Sequence, residues 1–407
     1  MNELDPATPR VPGDIKQIGL GTFRCSDSAR RYVNQVLDSG RITYGPFSRR
    51  FEREFARLHD CEHGIVSNSG TSALQMALAA MRERHAWSDG DEVIVPGVTF
   101  VATANVVVHN AMRPVVADVD LRDYGLSPES FERAITPRTR AVIPVHLFGQ
   151  PCDMDPILEI AKRHNLCVIE DSCETLFARY RGRSVGSLGE IGCFSTYAAH
   201  LLVTGVGGLN TTSDPDYMAV LRSLANHGRD TAYLSIDDDE GLPPEELVDV
   251  VSRRFRFVRM GFSNRISELE AALGVAALED WEDMIARRRA NAARLTESLS
   301  GLADRLLLPE CLPDRDHSFM MYPLVVRGES KTRLVEYLEL HGIETREMMP
   351  LTNQPALRSV LRFDPGAIPA TDWINQSGFY VGCHQELSNE EMDRIAELLH
   401  AYFGNEA

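Results

Sequence analysis

Residues 141–173 read AVIPVHLFGQPCDMDPILEIAKRHNLCVIEDSC. The runs AVIPVHL (141–147) and LCVIED (166–171) are almost continuously apolar, the mark of strands buried on both faces. Segment 153–164 between them has helical spacing. A strand, a helix and a second buried strand make a parallel crossover unit. The same rhythm extends outward in both directions. GIVS (64–67) reads as a strand, SALQMALAAM (72–81) as a helix, EVIVP (92–96) as a strand and VATANVVVHN (101–110) as a helix. PVVADV (114–119) reads as a strand, followed by a helix near 128–136. CFST (193–196) and GGLNTT (207–212) give two more short strands. The alternation predicts an α/β fold with a mostly parallel sheet covered on both faces. Ligands of such sheets gather at the carboxyl ends of the strands. Residues 66–70, Asp171 and Ser195 all fall there.

Upstream, residues 28–60 read as two helices around a turn at Thr43-Tyr44-Gly45-Pro46. Downstream, 232–260 breaks the rhythm. An acidic run, Asp237-Asp238-Asp239-Glu240, precedes Arg253, Arg254, Arg256 and Arg259. Those arginines read either as a solvated strand face or as cations meeting a nucleotide diphosphate. A long helical stretch is expected from Ile266 to about Leu299. MYPLVV (321–326) and FYVG (379–382) read as strands, with helices near 330–341 and 388–403. The expected organisation is a large domain over 1–265, including the N-terminal helices. Connecting helices and a smaller α+β C-terminal domain follow over 266–407.

The 407 residues exceed one domain of typical size, roughly 100–200 residues, which supports two units. Apolar residues make up 43%, enough for a sizeable core. The net charge is −17, so phosphate backbones and anionic membranes are poor partners. No stretch approaches the roughly 20 apolar residues that span a bilayer. The first residues lack the basic start and apolar run of a signal peptide, so a cytoplasmic protein is expected. The eight cysteines form no CxxC or CxC pair and read as reduced, mostly buried thiols. No metal site is expected.

Three segments carry chemistry. Asn68-Ser69-Gly70-Thr71-Ser72 joins a strand to a helix, where free amides and the positive helix end favour a phosphate. An ordinary helix cap explains the same residues. Asp171 ends an apolar strand, where a carboxylate is costly without a cationic partner. A protonated pyridine nitrogen, an arginine or a helix cap would each serve. Ser195 precedes Tyr197-Ala198-Ala199-His200 and Thr204-Gly205-Val206-Gly207-Gly208. Ser195 could hold a phosphate, Gly207 and Gly208 permit close backbone approach, and a lone histidine such as His200 is often structural.

Together these segments resemble the DegT-type sugar aminotransferases, which share the aspartate aminotransferase fold (pyridoxal-phosphate fold type I). The matching stretches are ITYGPFSRRFEREFA (42–56), NSGTSALQMAL (68–78), VPGVTFVATAN (95–105) and DVD (118–120). PVHLFGQPCDMDPI (144–157), VIEDSC (168–173), GCFSTY (192–197), TGVGG (204–208) and GFSNRISELEAALGVAALE (261–279) complete them. The resemblance implies that Gly70, Thr71, Ser72 and Ser195 hold the phosphate of pyridoxal or pyridoxamine 5′-phosphate. It implies that Phe100 stacks on the pyridine ring and that Asp171 binds its nitrogen. The family's GFNYR segment, which reaches a neighbour's active site, is here Gly261-Phe262-Ser263-Asn264-Arg265. It implies a homodimer, with Ser263 and Asn264 near the partner's cofactor.

One departure decides the expected chemistry. The family's lysine stands five residues after the phosphate-binding serine; here that position is His200. An imidazole makes no covalent link to the cofactor, but it moves protons near neutral pH. The substitution resembles the NDP-4-keto-6-deoxyhexose 3-dehydratases. These also carry an acid three places after the pyridine aspartate, here Glu174. The resemblance implies non-covalent pyridoxamine phosphate, proton removal by His200 and loss of the C3 hydroxyl of a nucleotide-linked sugar. The Cys-x-Cys pair of the iron–sulfur branch is lacking, so an amino donor such as glutamate is expected to reset the cofactor. Val206, Leu201 and Leu224-Ala225-Asn226-His227-Gly228 depart from the dehydratase pattern. Two alternatives therefore stand: an aminotransferase-like enzyme, and a non-catalytic B6-binding relative.

Overall fold

The computed structural model describes residues 17–404 apart from 231–240, 329 and 350. The acidic run 237–240 lies outside the described residues. Strand β1 (His63–Ser67) is followed by β2 (Glu92–Pro96), β3 (Arg113–Ala117), β4 (Thr139–Val142) and β5 (Cys167–Asp171). A small hairpin, β6 (Arg179–Tyr180) and β7 (Arg183–Ser184), precedes β8 (Ile191–Ser195) and β9 (Gly208–Thr212). Seven of these form one sheet in the order β1-β9-β8-β5-β4-β2-β3. Only β9 runs against the rest. The expected mostly parallel sheet is therefore present, and its parallel strands end along one edge.

Doubly apolar strands are doubly covered. On β2, Val93 and Val95 pack with helices α3 (Gly70–His85) and α4 (Val101–His109). Ile94 between them faces α5 (Pro128–Ala134) and α6 (Met154–Arg163) instead. The two-residue period of a strand sends neighbours to opposite faces. The two expected N-terminal helices are α1 (Asp27–Ser39) and α2 (Pro46–Leu58). The turn between them is held by Glu268, whose buried carboxylate accepts from the amides of Gly45 at 2.7 Å, Phe47 at 2.9 Å and Ser48 at 2.8 Å.

Helix α7 (Pro215–Ala225) precedes the break in the rhythm, and helix α8 (Pro244–Arg253) lies within it. Helix α8 opens with Pro244, Glu245 and Glu246, a first turn suited to the helix dipole. The arginines after it are tied down on their own chain. Arg253 pairs with Asp230 at 2.6 Å, Arg256 with Asp230 at 3.4 Å and Arg259 with Glu83 at 3.0 Å.

The helical stretch expected from 266 to 299 is present as two helices, α9 (Glu268–Glu279) and α10 (Trp281–Leu299), which meet at Asp280. The break lets α9 lie on α1 and α2, with Gly274 against the Phe51 ring. It then frees α10 to bury Ala292, Leu295 and Leu299 in a different core. That core belongs to a second, antiparallel sheet. Its strands are β10 (Leu306–Leu307), β11 (Tyr322–Val326), β12 (Thr345–Glu347) and β13 (Gly378–Val381), in the order β10-β11-β13-β12. Helices α11 (Thr332–Leu340), α12 (Pro369–Ser377) and α13 (Asn389–Gly404) complete the chain. The N-terminal segment joins this part: Ile18 bridges to Ile343 and packs in the second core. Among the described residues no helix is long and apolar enough to cross a membrane. All eight cysteines are free. Cys152, Cys193 and Cys383 are buried, three are half-buried, and Cys25 and Cys311 are exposed, so the expectation of mostly buried thiols holds only in part.

Candidate active site

The parallel strands end at a cavity of about 1050 Å³ between the two sheets. Its lining includes Gly70, Thr71, Phe100, Asp171, Glu174, Ser195 and His200, seven of the ten residues singled out from the sequence.

Gly70 and Thr71 form the N-terminus of α3, where the first amides have no intrahelical partner. Ser69 caps this helix, its Oγ accepting from the Ser72 amide at 3.0 Å. The Ser72 hydroxyl donates to Asn68 Oδ1 at 2.6 Å, and Ser72 is not part of the cavity wall. Gly70 is there for space: a Cβ would stand 2.6 Å from Cys173 Sγ and 2.8 Å from Ser195 Cβ. At Gly208 a Cβ would meet the Ser69 carbonyl at 2.5 Å, so β9 can lie against this loop.

Asp171 projects from the end of β5 toward α4. Its Oδ2 accepts from Thr103 Oγ1 at 2.8 Å and its Oδ1 from the Cys173 amide at 3.2 Å. No cation opposes it among the described residues, and burial raises its pKa. A protonated ring nitrogen would supply the missing charge. Phe100, the residue before α4, leaves 58% of its surface open to the cavity side, as a stacking platform requires.

Glu170, one residue earlier, points to the opposite face. Its carboxylate accepts from the amides of Gly186 at 2.8 Å, Leu188 at 2.7 Å and Gly189 at 2.7 Å, and lies 3.0 Å from His146 Nε2. His146 Nδ1 accepts from the Cys152 amide, which leaves Nε2 as the donor to Glu170. This cluster anchors the strand that carries Asp171.

Glu174 accepts from the Phe148 amide at 3.2 Å. Burial pushes its carboxyl up to about 8, so it is protonated at neutral pH and can donate a hydrogen bond. A raised carboxyl contributes stability fully below the unfolded value near 4.5 and loses it as pH rises through about 8. The cofactor-free protein should accordingly melt lower as pH rises from neutrality. Glu174→Gln should remove this group's share of the slope, about 1.4 kcal/mol per pH unit. Thermal melts from pH 6 to 9 check this; a variant with the wild-type slope would refute it.

His200 ends a turn that starts at Tyr197, its amide donating to the Tyr197 carbonyl at 2.9 Å. Its ring meets the Tyr197 ring edge-on at 6.1 Å. Nδ1 is buried without a hydrogen-bond partner among the described residues. Desolvation lowers the ring to about 4, so the imidazole is unprotonated at physiological pH and can accept a proton. Leu201 beside it is buried in the core. The sequence holds three lysines, Lys16, Lys162 and Lys331. Lys16 lies outside the described residues. Lys162 sits in the last turn of α6, and Lys331 donates to the Asn375 carbonyl at 2.8 Å. Neither lines the cavity.

Ser263 and Asn264 do not line the cavity of their own chain. Asn264 instead ties the α3 loop, its carbonyl accepting from the Asn68 amide at 3.0 Å, while its Nδ2 is buried without a partner. Sequence reasoning missed the opposite wall: Leu20, Gly21, Met320, Met321, Glu344, Arg346, Glu347, Met349, Gln354 and Tyr380. No local signal marks them, because strand β12 is only three residues long.

The family model for DegT/DnrJ/EryC1/StrS aminotransferases matches residues 25–400. The chain belongs to this family. The family member is 35% identical over 391 residues to the GDP-perosamine synthase of Caulobacter vibrioides, covering 95% of this chain and 98% of that one. It is 33% identical to the dTDP-4-dehydro-2,6-dideoxy-D-glucose 3-dehydratase of Saccharopolyspora spinosa, covering 88% and 80%. Among solved structures it resembles E. coli GDP-4-keto-6-deoxy-D-mannose-3-dehydratase with bound hydrated pyridoxal phosphate. The TM-score is 0.85 at 25% identity, with 95% of this chain and 100% of that chain covered. This family is the one expected from the resemblance, and its fold contains the mostly parallel sheet expected from the strand alternation.

Proposed function

We propose that this enzyme removes the C3 hydroxyl of a nucleotide-linked 4-keto-6-deoxy sugar, using pyridoxamine 5′-phosphate held without a covalent tether. One observation carries the reading: the cavity presents His200, and neither described lysine lines its wall. The solved dehydratase that binds hydrated pyridoxal phosphate supports it.

In this reading Gly70, Thr71 and Ser195 hold the phosphate, with Ser72 closing the loop behind them. Phe100 covers one ring face. Asp171 sits at the ring nitrogen, and Glu174 donates to an oxygen at the ring edge. When bound, the cofactor supplies an amine that carries the sugar through its C4 carbon and a ring that accepts electrons. His200, neutral at rest, would be the group that moves the proton at the C4′ carbon. The imidazolium then returns that proton to the C3 oxygen as it leaves. Desolvation keeps His200 uncharged until it acts. The nitrogen would leave as ammonia when water hydrolyses the sugar product, and glutamate, or a similar amino donor, would restore the amine.

We further propose a division into two domains near residue 265 and a homodimer in which Ser263 and Asn264 complete the partner's site. The exposed apolar side chains of Val248, Val251, Phe255, Phe257 and Met260 beside that loop suit a covered surface.

A second reading, C4 amine transfer, is favoured by the similarity to GDP-perosamine synthase. One assay separates the two. The protein is incubated with a panel of nucleotide-linked 4-keto-6-deoxy sugars, pyridoxal phosphate and glutamate, and products are weighed by mass spectrometry. Loss of the C3 oxygen is the expected result. A 4-amino sugar with C3 oxygen intact would replace the proposal by the second reading.

A further inference from the structure

The cavity wall of this chain is short of positive charge. Asp171, Glu174, Glu344 and Glu347 line it, and among the described lining residues Arg346 alone is a permanent cation. Yet the ligands of the proposed reaction are anionic. A sugar nucleotide carries a diphosphate, and an amino donor carries carboxylates.

Arg346 is built to meet them. It stands on β12 directly opposite Tyr380 of β13. Paired positions on neighbouring strands present their side chains on the same face, and both residues line the cavity. Arg346 Nη1 donates to the Thr345 carbonyl at 2.7 Å and Nη2 to Glu344 Oε1. A guanidinium has five N–H donors, so three remain without a protein partner among the described residues. Glu344 is itself pinned, its other oxygen accepting from the Leu20 amide at 3.1 Å. Glu347, the next acid along, is balanced by Lys331 at 3.3 Å. The arginine is thus aimed by Glu344 and held on the small sheet, across the cavity from the end of α3. An arginine more than half exposed gains little from one such pair, and its fork stays available to a second oxyanion.

We propose that Arg346 is the residue that fixes the anionic ligand on the small-sheet wall, gripping an oxyanion in forked hydrogen bonds. The oxyanion is the carboxylate of the amino donor or the diphosphate of the sugar nucleotide. The inference rests on the B6 reading of the cavity given above.

The test uses the full-length protein loaded with pyridoxal phosphate and has two arms. The first follows by absorbance the conversion of the bound cofactor to its amine form as glutamate is raised. The second titrates GDP, UDP and dTDP calorimetrically. Arg346→Gln should weaken one arm by roughly 10- to 100-fold, the range of charge-assisted hydrogen bonds. Arg346→Lys, which keeps the charge but loses the fork, should recover part of that loss. Arg294→Gln, which breaks a surface pair with Asp393, should leave both arms unchanged. A loss confined to glutamate assigns the carboxylate; a loss confined to the nucleotides assigns the diphosphate. Both arms at wild-type strength in Arg346→Gln would overturn the inference. A wild type that takes up no B6 phosphate, yet loses nucleotide binding on Arg346→Gln, would leave the inference standing and remove the reading beneath it. A wild type without signal in either arm would overturn both.

Discussion

Replacing His200 by asparagine should cut dehydration by roughly 10²- to 10⁴-fold, the usual worth of a positioned acid–base group. Cofactor uptake should stay near wild type, because Asp171, Ser195 and the α3 terminus are untouched. The imidazole lines the cavity, and its pKa is lowered to about 4, which keeps it in the proton-accepting form at neutral pH. Asparagine has similar bulk and no proton to move. The companion variant, His200→Lys, should behave oppositely toward the cofactor. A desolvated lysine has its pKa lowered and becomes nucleophilic. It should link covalently to pyridoxal phosphate, survive borohydride as a mass adduct, and lose dehydration. Wild-type turnover in His200→Asn would end the proposed role. A borohydride-stable adduct in the wild-type protein would point to a lysine and to amine transfer.

Glu170→Ala should be the most damaging single change to the fold. The carboxylate is fully buried and serves three amides and His146 together. Removing it strands four buried donors, and the loss of one member of a buried charged cluster costs about 3–5 kcal/mol. Glu170→Gln should recover part of this, since its one amide oxygen can still accept from some of the four. Denaturant unfolding followed by circular dichroism would measure both. A loss under about 1 kcal/mol for Glu170→Ala, the worth of one ordinary hydrogen bond, would contradict the argument. The position also matters for function. Glu170 and Asp171 are neighbours on β5, so loosening the anchor on one face shifts the carboxylate on the other.

The large sheet was legible because its information is local. A strand buried on both faces must be apolar at successive positions, and EVIVP and LCVIED show that without any tertiary knowledge. Strand ends then located Gly70, Thr71, Asp171 and Ser195, since ligands of parallel sheets collect there. The spacing from Ser195 brought His200 into view. Where local signals were weak, the reading was coarser. The helical stretch expected over 266–299 is divided at Asp280, because α9 packs in the first core while α10 passes from Ile285 in that core to Ala292, Leu295 and Leu299 in the second. Nothing in the helical period reveals such a change of partner. Ser72 has the right residue type for a phosphate, but its hydroxyl turns to Asn68.

What the amino-acid sequence determined by itself was the α/β alternation, the strand-end motifs and the histidine in place of lysine. All of these depend on spacing along the chain and on residue chemistry. What only the tertiary structure decided was the facing wall. Arg346 and Tyr380 are separated from Asp171 by more than 170 residues of chain, and they meet its cavity only because the second sheet packs across the first. It also decided protonation. A histidine that is neutral and a glutamate that keeps its proton differ from ordinary side chains in burial alone, and burial is a property of the packed fold.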